Sequence, residues 1–569
     1  MQHHYTNDSK QTWWKWGNPE KSFHLKNDFP KLAVFLEEKW NKKLNEDFYL
    51  PDRITQLNSS SYSIDEWKQI FPNLRPDQIS IASEDRIQYA LGKSYRNSLQ
   101  ILTNEKIIAP DVIVFPEHTN EVAYILEQAN HHKINITTYS GGTNVTGALD
   151  IENPLITCCV NMKKMNQLLH IDTVSQTATF QAGIYGPALE EILNNRGYTL
   201  GHFPQSFEFS TLGGWLATRS AGQESGLYGK IEDMVLGLKV ATPNGIVEQF
   251  SFPRHASGID VFQLFIGSEG TLGIITEAKM KTHPLPKSKK WVVGIFKSYE
   301  DGADALRQMI QSGIHPSISR LSDVQETKML SLLSKEESKG FAKISKKIMK
   351  LYLKNTGYRE PCLLMMQFSI KNYADEIASR VAKEFIKAKN GFNLPSASAS
   401  NWHKNRFALP YMRETLIQNR ILIDMFETVT YWNNLIPLYH QVKDSLKNNT
   451  DYFDKGGIIF CHISHIYETG ASLYFTLMAP QQKDDEILQW ENIKSIISNT
   501  IIKQGGAISH HHGVGKDHRK WYLQQLSPKT KKLLNAIKAE LDPNNIMNSG
   551  KLFEPSIKDA QLHSLYPIV

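Results

Sequence analysis

Cysteine is scarce in this chain of 569 residues, which contains only four cysteines. So few cysteines exclude a disulfide-built secreted scaffold, and the lack of a Cys-x-x-Cys pair argues against a structural zinc. No apolar run approaches the roughly 18 residues of a membrane span, and the N-terminus lacks the charged-then-apolar order of a signal peptide. We therefore expect a large intracellular enzyme without a membrane-spanning segment.

An excess of charge of one sign is also missing. The chain has 64 Lys and Arg against 58 Asp and Glu, which gives a net charge of +6. So small an excess of positive charge does not by itself indicate binding to nucleic acid. Hydrophobic residues make up 41% of the chain, enough to build a core, so wholesale disorder is excluded. Because one core rarely exceeds roughly 250–300 residues, we expect two or three domains.

Short apolar strands and helical patterns alternate after Pro110 without a clean repeat, which predicts an α+β fold. One predicted helix carries Val122, Ile125, Leu126 and Ala129, with Thr119 or Asn120 as its cap. The predicted division is an N-terminal, partly helical extension (1–105), an α+β domain (106–287), a second mixed domain (288–500) and a C-terminal segment (501–569). Strands are predicted at Val112–Phe115, Ile134–Ile136, Leu155–Val160, Thr177–Gln181, Leu236–Ala241 and Leu272–Ile275.

Three glycine-rich stretches lie between residues 106 and 287, at Ser140–Val145, Ser210–Gly222 and Gly267–Gly273. Missing Cβ atoms let backbone N–H groups approach a pyrophosphate, and Ser and Thr hydroxyls add donors. None of the three follows the Gly-x-Gly-x-x-Gly or Gly-x-x-x-x-Gly-Lys-Ser/Thr pattern, so the Rossmann fold and the P-loop fit poorly. We expect these loops to bind a cofactor that carries a pyrophosphate.

Three consecutive histidines, His510, His511 and His512, precede a Gly-Val-Gly-Lys sequence. Consecutive residues diverge by about 100° on a helix and alternate on a strand, so all three cannot easily face one ion. We therefore expect no metal. A proton-handling site, or an imidazole packed on a cofactor ring, fits better because imidazole titrates near neutrality.

These motifs resemble those of the alkyldihydroxyacetonephosphate synthases, which belong to the vanillyl-alcohol oxidase family of flavoproteins. The resemblance implies a PCMH-type FAD-binding domain at 106–287, a substrate-binding cap domain at 288–500, and a C-terminal active-site segment that returns to the FAD domain. It covers nearly the whole chain and is carried by Trp13–Trp16, Ser83–Arg86, Gly92–Ser94, Pro204–Arg219, Gly229–Asp233, Gly267–Gly273 and Ser509–Lys516.

The resemblance implies FAD as the cofactor. The first glycine loop has no histidine for a covalent link, so the flavin should be noncovalent. The implied cofactor-binding residues are Tyr139, Ser140, Gly141, Gly142, Thr143, Asn144, Val145, Gln205, Ser206, Phe207, Glu208, Phe209, Ser210, Thr211, Thr218, Arg219, Ser220, Ala221, Glu269, Gly270, Thr271, Leu272, Gly273, Ile274 and Ile275.

The resemblance also implies the catalytic side chains. Tyr474 matches the general acid or base of the family, and His510, His511 and His512 match its active-site histidines. Arg413 matches an arginine near the reactive nitrogen of the flavin, and we expect it to lower the pKa of Tyr474 toward the working pH. The implied substrate-binding residues are Arg413, Arg320 and His462, the last standing where the family has an arginine.

The family reaction exchanges the acyl chain of acyl-dihydroxyacetone phosphate for a long-chain fatty alcohol and forms an ether bond without net redox change. Two other functions stay open: a FAD-dependent 2-hydroxyacid dehydrogenase, and a non-catalytic flavin- or lipid-binding protein. The expected partners are the two lipid substrates and a second copy in a homodimer, with no nucleic acid.

We predict a cytoplasmic location for the protein, because its last three residues, Pro567–Val569, do not match a Ser-Lys-Leu-type peroxisomal targeting signal. Lys339–Lys354 combines apolar residues at helical spacing with lysines on the remaining face. Such a segment suits either a helix packed on the core or peripheral contact with an anionic membrane.

Overall fold

A computed structural model of the protein describes residues 12–18, 20–44, 57–103, 105–151, 156–333, 355–448 and 456–553. Helices and strands are mixed throughout, and the predicted α+β class is confirmed. The amphipathic segment Lys339–Lys354 lies outside the described residues. Among the helices that are described, none combines the length and the apolar character needed to cross a membrane.

The N-terminal extension is mostly helical, and its first two helices pack against the cap domain. The longest helix of the extension begins at Pro30. Proline is well tolerated at this first position, because its φ is already helical and the N–H that it lacks would have no partner within the helix. This helix buries Leu32 and Leu36 against Met412 and Leu416. The helices of the extension are Leu25–Asp28, Pro30–Trp40, Ile64–Ile70, Ser83–Gln88 and Tyr95–Leu102.

The first sheet of the domain predicted to bind FAD, called the FAD domain below, carries the first glycine loop at the end of its edge strand. Helix Thr119–His132 packs on it, and its predicted apolar residues are buried. The predicted cap is wrong: His118 is the N-cap, and its Nδ1 accepts a hydrogen bond from the backbone N–H of Glu121. The sheet contains, in spatial order, Ile79–Ser80, Val112–Val114, Thr157–Asn161 and Asn135–Tyr139.

The second sheet of this domain is antiparallel and has five strands. Its central strand begins at Ile274, two residues later than predicted, because Gly270 and Gly273 have positive φ and keep the preceding residues in a loop. The spatial order is Leu168–Asp172, Thr177–Gln181, Ile274–Lys281, Val235–Thr242 and Gly245–Glu248. The domain also contains helices Gly186–Asn194, Leu212–Ala217, Ser225–Tyr228 and Ile231–Met234.

A seven-stranded antiparallel sheet forms the cap domain. Four helices, Tyr299–Gln311, Tyr373–Ala388, Trp432–Lys447 and Glu486–Lys503, share one apolar core with it. Three shorter helices are Val324–Leu333, Ala397–Lys404 and Met412–Gln418. The strand order is Phe392–Leu394, Ser288–Phe296, Cys362–Ile370, Ile318–Ser322, Ile458–Ile466, Gly470–Pro480 and Ile421–Tyr431.

The C-terminal segment passes from the cap domain back to the FAD domain. It contains helices Gly515–Gln525 and Pro528–Leu541, and Met547 then pairs with Ile136 in the first sheet. The backbone N–H of Ile136 donates to the carbonyl of Ile546 at 2.8 Å. The histidines that precede these helices are therefore held near both domains.

Candidate active site

One cavity of about 460 Å³ is lined by both domains. Its polar wall includes the glycine loops of the FAD domain. Opposite groups come from the cap domain and the C-terminal segment, including Tyr474, His511 and His512. A third set of lining residues is apolar and comes from the cap domain and the N-terminal extension: Leu32, Met329, Leu330, Leu333, Met412, Leu416, Ile423, Met425, Phe460 and Met478.

The glycine loops form a cradle that larger residues would fill. A Cβ atom on Gly141 would lie 2.1 Å from the carbonyl oxygen of Phe209, so only glycine allows the two loops to approach. Thr138 borders the cavity, and its Oγ1 is buried without a hydrogen-bond partner in the described part of the chain. A buried hydroxyl of this kind suits a phosphate oxygen. The donor set therefore fits the pyrophosphate of FAD.

Most of the predicted cofactor-binding residues line this cavity. They are Ser140, Gly141, Gly142, Thr143, Asn144, Val145, Gln205, Ser206, Ser210, Thr211, Thr218, Ser220, Ala221, Glu269, Gly270, Gly273, Ile274 and Ile275. Seven others do not line it, and their contact with the cofactor stays a prediction: Tyr139, Phe207, Glu208, Phe209, Arg219, Thr271 and Leu272.

These seven side chains are occupied in packing the loops instead. Tyr139 and Leu272 are buried in apolar clusters, and Phe207 stacks on Phe407. Phe209 packs edge-on against Trp16 of the N-terminal extension.

The polar members of the set also have partners elsewhere. Glu208 forms an ion pair with Lys21, and Arg219 donates to the backbone carbonyl of Ile266. The hydroxyl of Thr271 donates to the carbonyl of Ser268. These residues shape the cradle without bordering it.

Tyr474 lies at the centre of the polar side of the cavity. It pairs with Glu427 on one neighbouring strand and with His462 on the other. Its ring stacks on those of His462 and His511, with centroids 4.8 and 5.9 Å away. Among the described residues nothing hydrogen-bonds its hydroxyl, which leaves that group available to a ligand.

The expected effect of Arg413 on Tyr474 is wrong. Burial raises the pKa of Tyr474 above its usual range, and the charge of Glu427 raises it further. The cation that acts in the opposite direction is Arg320. Arg413 does line the cavity, but its guanidinium donates to the carbonyl of Lys93 and to Oγ of Ser98 at 3.2 Å.

Arg320, Glu326 and His462 form a buried cluster beside Tyr474. Arg320 donates to Nε2 of His462 at 3.0 Å and to Oε1 of Glu326 at 2.7 Å, and Nδ1 of His462 lies 2.8 Å from the same oxygen. Burial and the charge of Arg320 lower the pKa of His462, so this imidazole is neutral. Burial opposes the charge on Glu326, but Arg320 and His462 outweigh it and lower its pKa to about 2.

The histidine segment is fixed by a buried carboxylate from the cap domain, Glu427. It accepts the backbone N–H groups of His510, His511 and His512 at 2.6 to 3.0 Å, and the hydroxyl of Ser509 at 2.7 Å. Burial alone would raise the pKa of Glu427, but His511 and the adjacent histidines hold it well below its usual range. Glu427 is therefore ionised.

A second buried carboxylate, Glu269 of the FAD domain, holds the glycines that follow. It accepts the backbone N–H groups of Val514 at 2.5 Å and Gly515 at 2.8 Å. A Cβ atom on Gly515 would lie 2.1 Å from the carbonyl oxygen of Thr146, so the close approach requires glycine. The segment thus has one carboxylate anchor in each domain.

The three histidines do not all reach the cavity. His511 and His512 line it, whereas His510 does not, and its catalytic role stays a prediction. Ring nitrogens of His465, His510 and His511 lie within 4.8 Å of one another, close enough to consider a metal ion. Every ring nitrogen of His465 and His510 nevertheless has a protein partner within 3.0 Å. We assign no metal, and its absence remains a prediction.

Comparison with known proteins decides the family. Residues 110–251 match the family described as "FAD binding domain", and residues 285–552 match "FAD linked oxidases, C-terminal domain". The alkyldihydroxyacetonephosphate synthase of Dictyostelium discoideum is 33% identical over 93% of this chain and 88% of the relative. The alkyldihydroxyacetonephosphate synthase of Caenorhabditis elegans is 31% identical over 86% of this chain and 84% of the relative. The chain belongs to the alkyldihydroxyacetonephosphate synthase family.

Solved structures agree with this assignment. A structure titled "alkyldihydroxyacetonephosphate synthase in P212121" has a TM-score of 0.81 and 29% identity, and covers 96% of this chain and 98% of its own. A substrate-bound p-cresol methylhydroxylase has a TM-score of 0.65 at 17% identity over 86% of this chain and 96% of its own, a likeness of fold alone. As a member of the synthase family, the protein takes FAD as its cofactor.

Several residues of this synthase-family site carry no signal in the sequence. Glu427 and Glu326 come from a strand and a helix with ordinary patterns, and His465 and Tyr467 lie in a strand and the turn after it. His202 lies three residues before the predicted FAD stretch that begins at Gln205; it is buried, with Nε2 2.7 Å from Oγ of Ser220. Only its position next to that stretch could have drawn attention to it.

Proposed function

We propose that the protein exchanges the acyl chain of acyl-dihydroxyacetone phosphate for a long-chain fatty alcohol and so forms the ether bond of ether lipids. The observation that carries this proposal is the continuity of one cavity. It runs from the glycine loops, past Tyr474 and His511, to a wall of ten apolar side chains. Such a cavity offers a place for a cofactor, a reacting carbonyl compound and a hydrocarbon chain at once.

The apolar wall favours a lipid over a small hydroxyacid. Each buried CH₂ group contributes about 0.8 kcal/mol, so a chain of lipid length gains strongly from side chains such as Met412, Met425 and Phe460. A 2-hydroxyacid has no chain to place there. Leu32 of the N-terminal extension belongs to this wall, which gives the extension a part in substrate binding.

The cap domain and the C-terminal segment supply the groups that move protons. Bound FAD supplies the nucleophilic ring nitrogen that makes exchange at C1 feasible. The C1 proton of the substrate must be removed, and the departing carboxylate must be protonated. Burial and the charge of Glu427 raise the pKa of Tyr474, so its hydroxyl keeps its proton and is our candidate for the group that donates to the departing carboxylate. His511 is then our candidate for the base.

Arg320 and Arg413 are proposed to face the polar end of the substrate. Both line the cavity, and buried Nε atoms of both lack hydrogen-bond partners in the described part of the chain. Because His462 is neutral and Glu326 is ionised, the charge of Arg320 is already balanced within its cluster. Arg413, which donates to Ser98 and pairs with Glu414, is likewise partly balanced. Both arginines therefore offer directed N–H donors more than net charge.

The test is an anaerobic incubation without any electron acceptor, using palmitoyl-dihydroxyacetone phosphate and labelled hexadecanol. We expect labelled hexadecyl ether and one palmitate for each ether formed. Reduction of an added acceptor by a 2-hydroxyacid, without ether formation, would favour the dehydrogenase. Bound FAD with neither activity would leave a binding protein.

Three further proposals concern the setting of the enzyme. Lipid substrates make peripheral membrane contact a natural expectation, and binding to anionic vesicles would test it. Cytoplasmic residence and a homodimer remain predictions from the sequence, for which fractionation and analytical ultracentrifugation are the direct measurements.

A further inference from the structure

The residues Thr12–Gly17, called the N-terminal loop below, lie where the two domains meet at the cavity. Trp16 lines the cavity and is 6% exposed. Its ring packs edge-on against Phe209 of the FAD domain, and both residues belong to one apolar cluster with Tyr411 of the cap domain. A single indole ring therefore joins the two domains at the wall of the cavity.

The N-terminal loop is closed on itself and fits closely against Tyr411. The backbone N–H of Thr12 donates to the carbonyl of Gly17 at 3.2 Å. Gly17 has a φ of 65°, and a Cβ atom on it would lie 2.5 Å from the hydroxyl oxygen of Tyr411, so only glycine allows this contact. The residues that follow Phe209 and Tyr411 in the sequence, Ser210 and Met412, both line the cavity. The loop is thus a shaped part of the cavity wall.

A buried lysine, Lys93, holds the N-terminal loop in place. Its Nζ donates to the carbonyls of Thr12 at 3.0 Å and Trp13 at 2.8 Å, and the residue is 3% exposed. Burial lowers the pKa of Lys93 to about 7, although the charge of Glu414 acts in the opposite direction. A neutral amine still has two N–H groups for the two carbonyls, so this contact does not depend on the charge of the lysine.

The backbone of Lys93 is fixed to both sides of the reaction site. Its N–H donates to the carbonyl of Asn144 in the first glycine loop at 2.6 Å. Its carbonyl accepts a hydrogen bond from the guanidinium of Arg413, which lines the cavity from the cap domain. The residue that holds the N-terminal loop is therefore positioned by the same groups that form the site.

We propose that the N-terminal loop, held by Lys93, keeps water out of the reaction site, so that the fatty alcohol and not water bonds to C1 of the substrate. This inference rests on the proposed ether-forming function. Trp16 is the residue that determines the choice of acceptor, and Lys93 is its positioning residue. The large, mostly apolar indole ring excludes water from the junction of the domains, and a hydrocarbon chain can still pack beside it.

The two acceptors give different products. In either case the bond between C1 and the oxygen of the departing carboxylate breaks, and a fatty acid is released. With the alcohol, C1 bonds to the alcohol oxygen, and the hydroxyl proton of the alcohol balances the charge of the released carboxylate. With water, C1 bonds to the water oxygen, and the second product is free dihydroxyacetone phosphate. Neither reaction transfers electrons, and closing a site against water prevents hydrolysis of this kind.

The experiment counts the palmitate released for each ether formed. Palmitoyl-dihydroxyacetone phosphate and labelled hexadecanol are incubated anaerobically with the FAD-loaded enzyme in water enriched in ¹⁸O. The wild type should release about one palmitate per ether. In Trp16→Ala and Lys93→Met the ratio should rise to about two or more, because water then competes with the alcohol. The additional palmitate should contain no ¹⁸O, because the bond that breaks is the one between C1 and oxygen.

Two variants serve as controls. Trp16→Phe keeps an aromatic ring at the junction of the domains and should keep the wild-type ratio. Lys68→Met makes the same exchange as Lys93→Met at a lysine of the N-terminal extension whose side chain is 43% exposed, and it should also match the wild type. The ratio is read only from molecules that turn over, so a loss of folded enzyme does not change it.

A second measurement does not require turnover. Iodide in solution quenches the fluorescence of the bound flavin in proportion to its access to the cavity. The quenching constant should rise about twofold or more in Trp16→Ala and Lys93→Met, because the cavity is then open at the junction of the domains. It should stay at the wild-type value in Lys68→Met.

Two outcomes would overturn this proposal. One is a palmitate ratio that stays at the wild-type value in both Trp16→Ala and Lys93→Met or, where a variant does not turn over, an unchanged quenching constant. The other is additional palmitate that contains ¹⁸O, which would show that water attacks the ester carbonyl and not C1. A wild-type enzyme that forms no ether at all would instead contradict the proposed function, so the two failures are distinguishable.

Discussion

The two sides of the cavity are built in different ways. On the FAD side, backbone atoms form the wall, and glycines such as Gly141, Gly142 and Gly270 are needed because neighbouring groups come too close or because φ is positive. On the cap side, charged and aromatic side chains from separate strands meet, as Glu427, Tyr474 and His462 do. Cofactor binding should therefore depend on backbone space, and turnover on side-chain chemistry.

The largest expected effect is loss of the cofactor in Gly141→Val. The added side chain would meet the carbonyl of Phe209, so the first two loops could not keep their spacing. Acid precipitation should release intact FAD from the wild type and almost none from the variant.

Gly313→Ala is the control for this change, because Gly313 has a positive φ but open space around its Cβ position. It should cost only about 1 kcal/mol of stability and keep FAD. A flavin that stays in the wild-type pellet would reveal a covalent link, and full FAD content in Gly141→Val would contradict the account of the cradle.

On the cap side, Tyr474→Phe should keep FAD bound but lower ether formation by about a hundredfold or more, the usual contribution of a general acid or base. The measurement is the rate of ether formation per bound FAD, with Tyr431→Phe as the control, because Tyr431 is 71% exposed in the same domain. Unchanged turnover would assign Tyr474 to packing.

His511→Ala should also lower turnover strongly, without any dependence on metal. The ring nitrogens of its neighbours His465 and His510 already have protein partners. Activity of the wild type should survive a chelator, and metal analysis should find no stoichiometric zinc. Inhibition by the chelator with rescue by zinc would show that these imidazoles bind an ion.

The smallest expected effect concerns stability. The pKa of Glu326 is about 2 in the folded protein and 4.5 normally, so its charge stabilises the fold above pH 4.5, and this contribution is lost as the pH falls toward 2. Glu326→Gln should lower the free energy of unfolding at pH 7 by roughly 2 to 3 kcal/mol.

The deficit of Glu326→Gln should shrink between pH 4.5 and 2, as measured by denaturant unfolding. Glu300→Gln, which alters a carboxylate paired with His440 at an exposed site, should change little. A deficit that is independent of pH would show that the charge of Glu326 does not act in this way.

The sequence revealed the FAD side better than the cap side for a physical reason. The residues of a glycine loop are consecutive in the sequence, so the pattern of Ser140–Val145 predicts phosphate binding within six residues. The cluster of Arg320, Glu326 and His462 depends on strand pairing between segments about 140 residues apart, which no local pattern records. The resemblance to a family supplied Arg320 and Tyr474, but it did not indicate which cation or carboxylate would face the tyrosine.

The central claim is that the C1–oxygen bond of the substrate is exchanged without net redox change, and isotope-labelled oxygen tests it most directly. Hexadecanol labelled with ¹⁸O is incubated anaerobically with palmitoyl-dihydroxyacetone phosphate, and the products are analysed by mass spectrometry. The account predicts ¹⁸O in the ether, none in free palmitate, and no requirement for an electron acceptor. Label found instead in a hexadecyl palmitate ester, with no labelled ether, would contradict it.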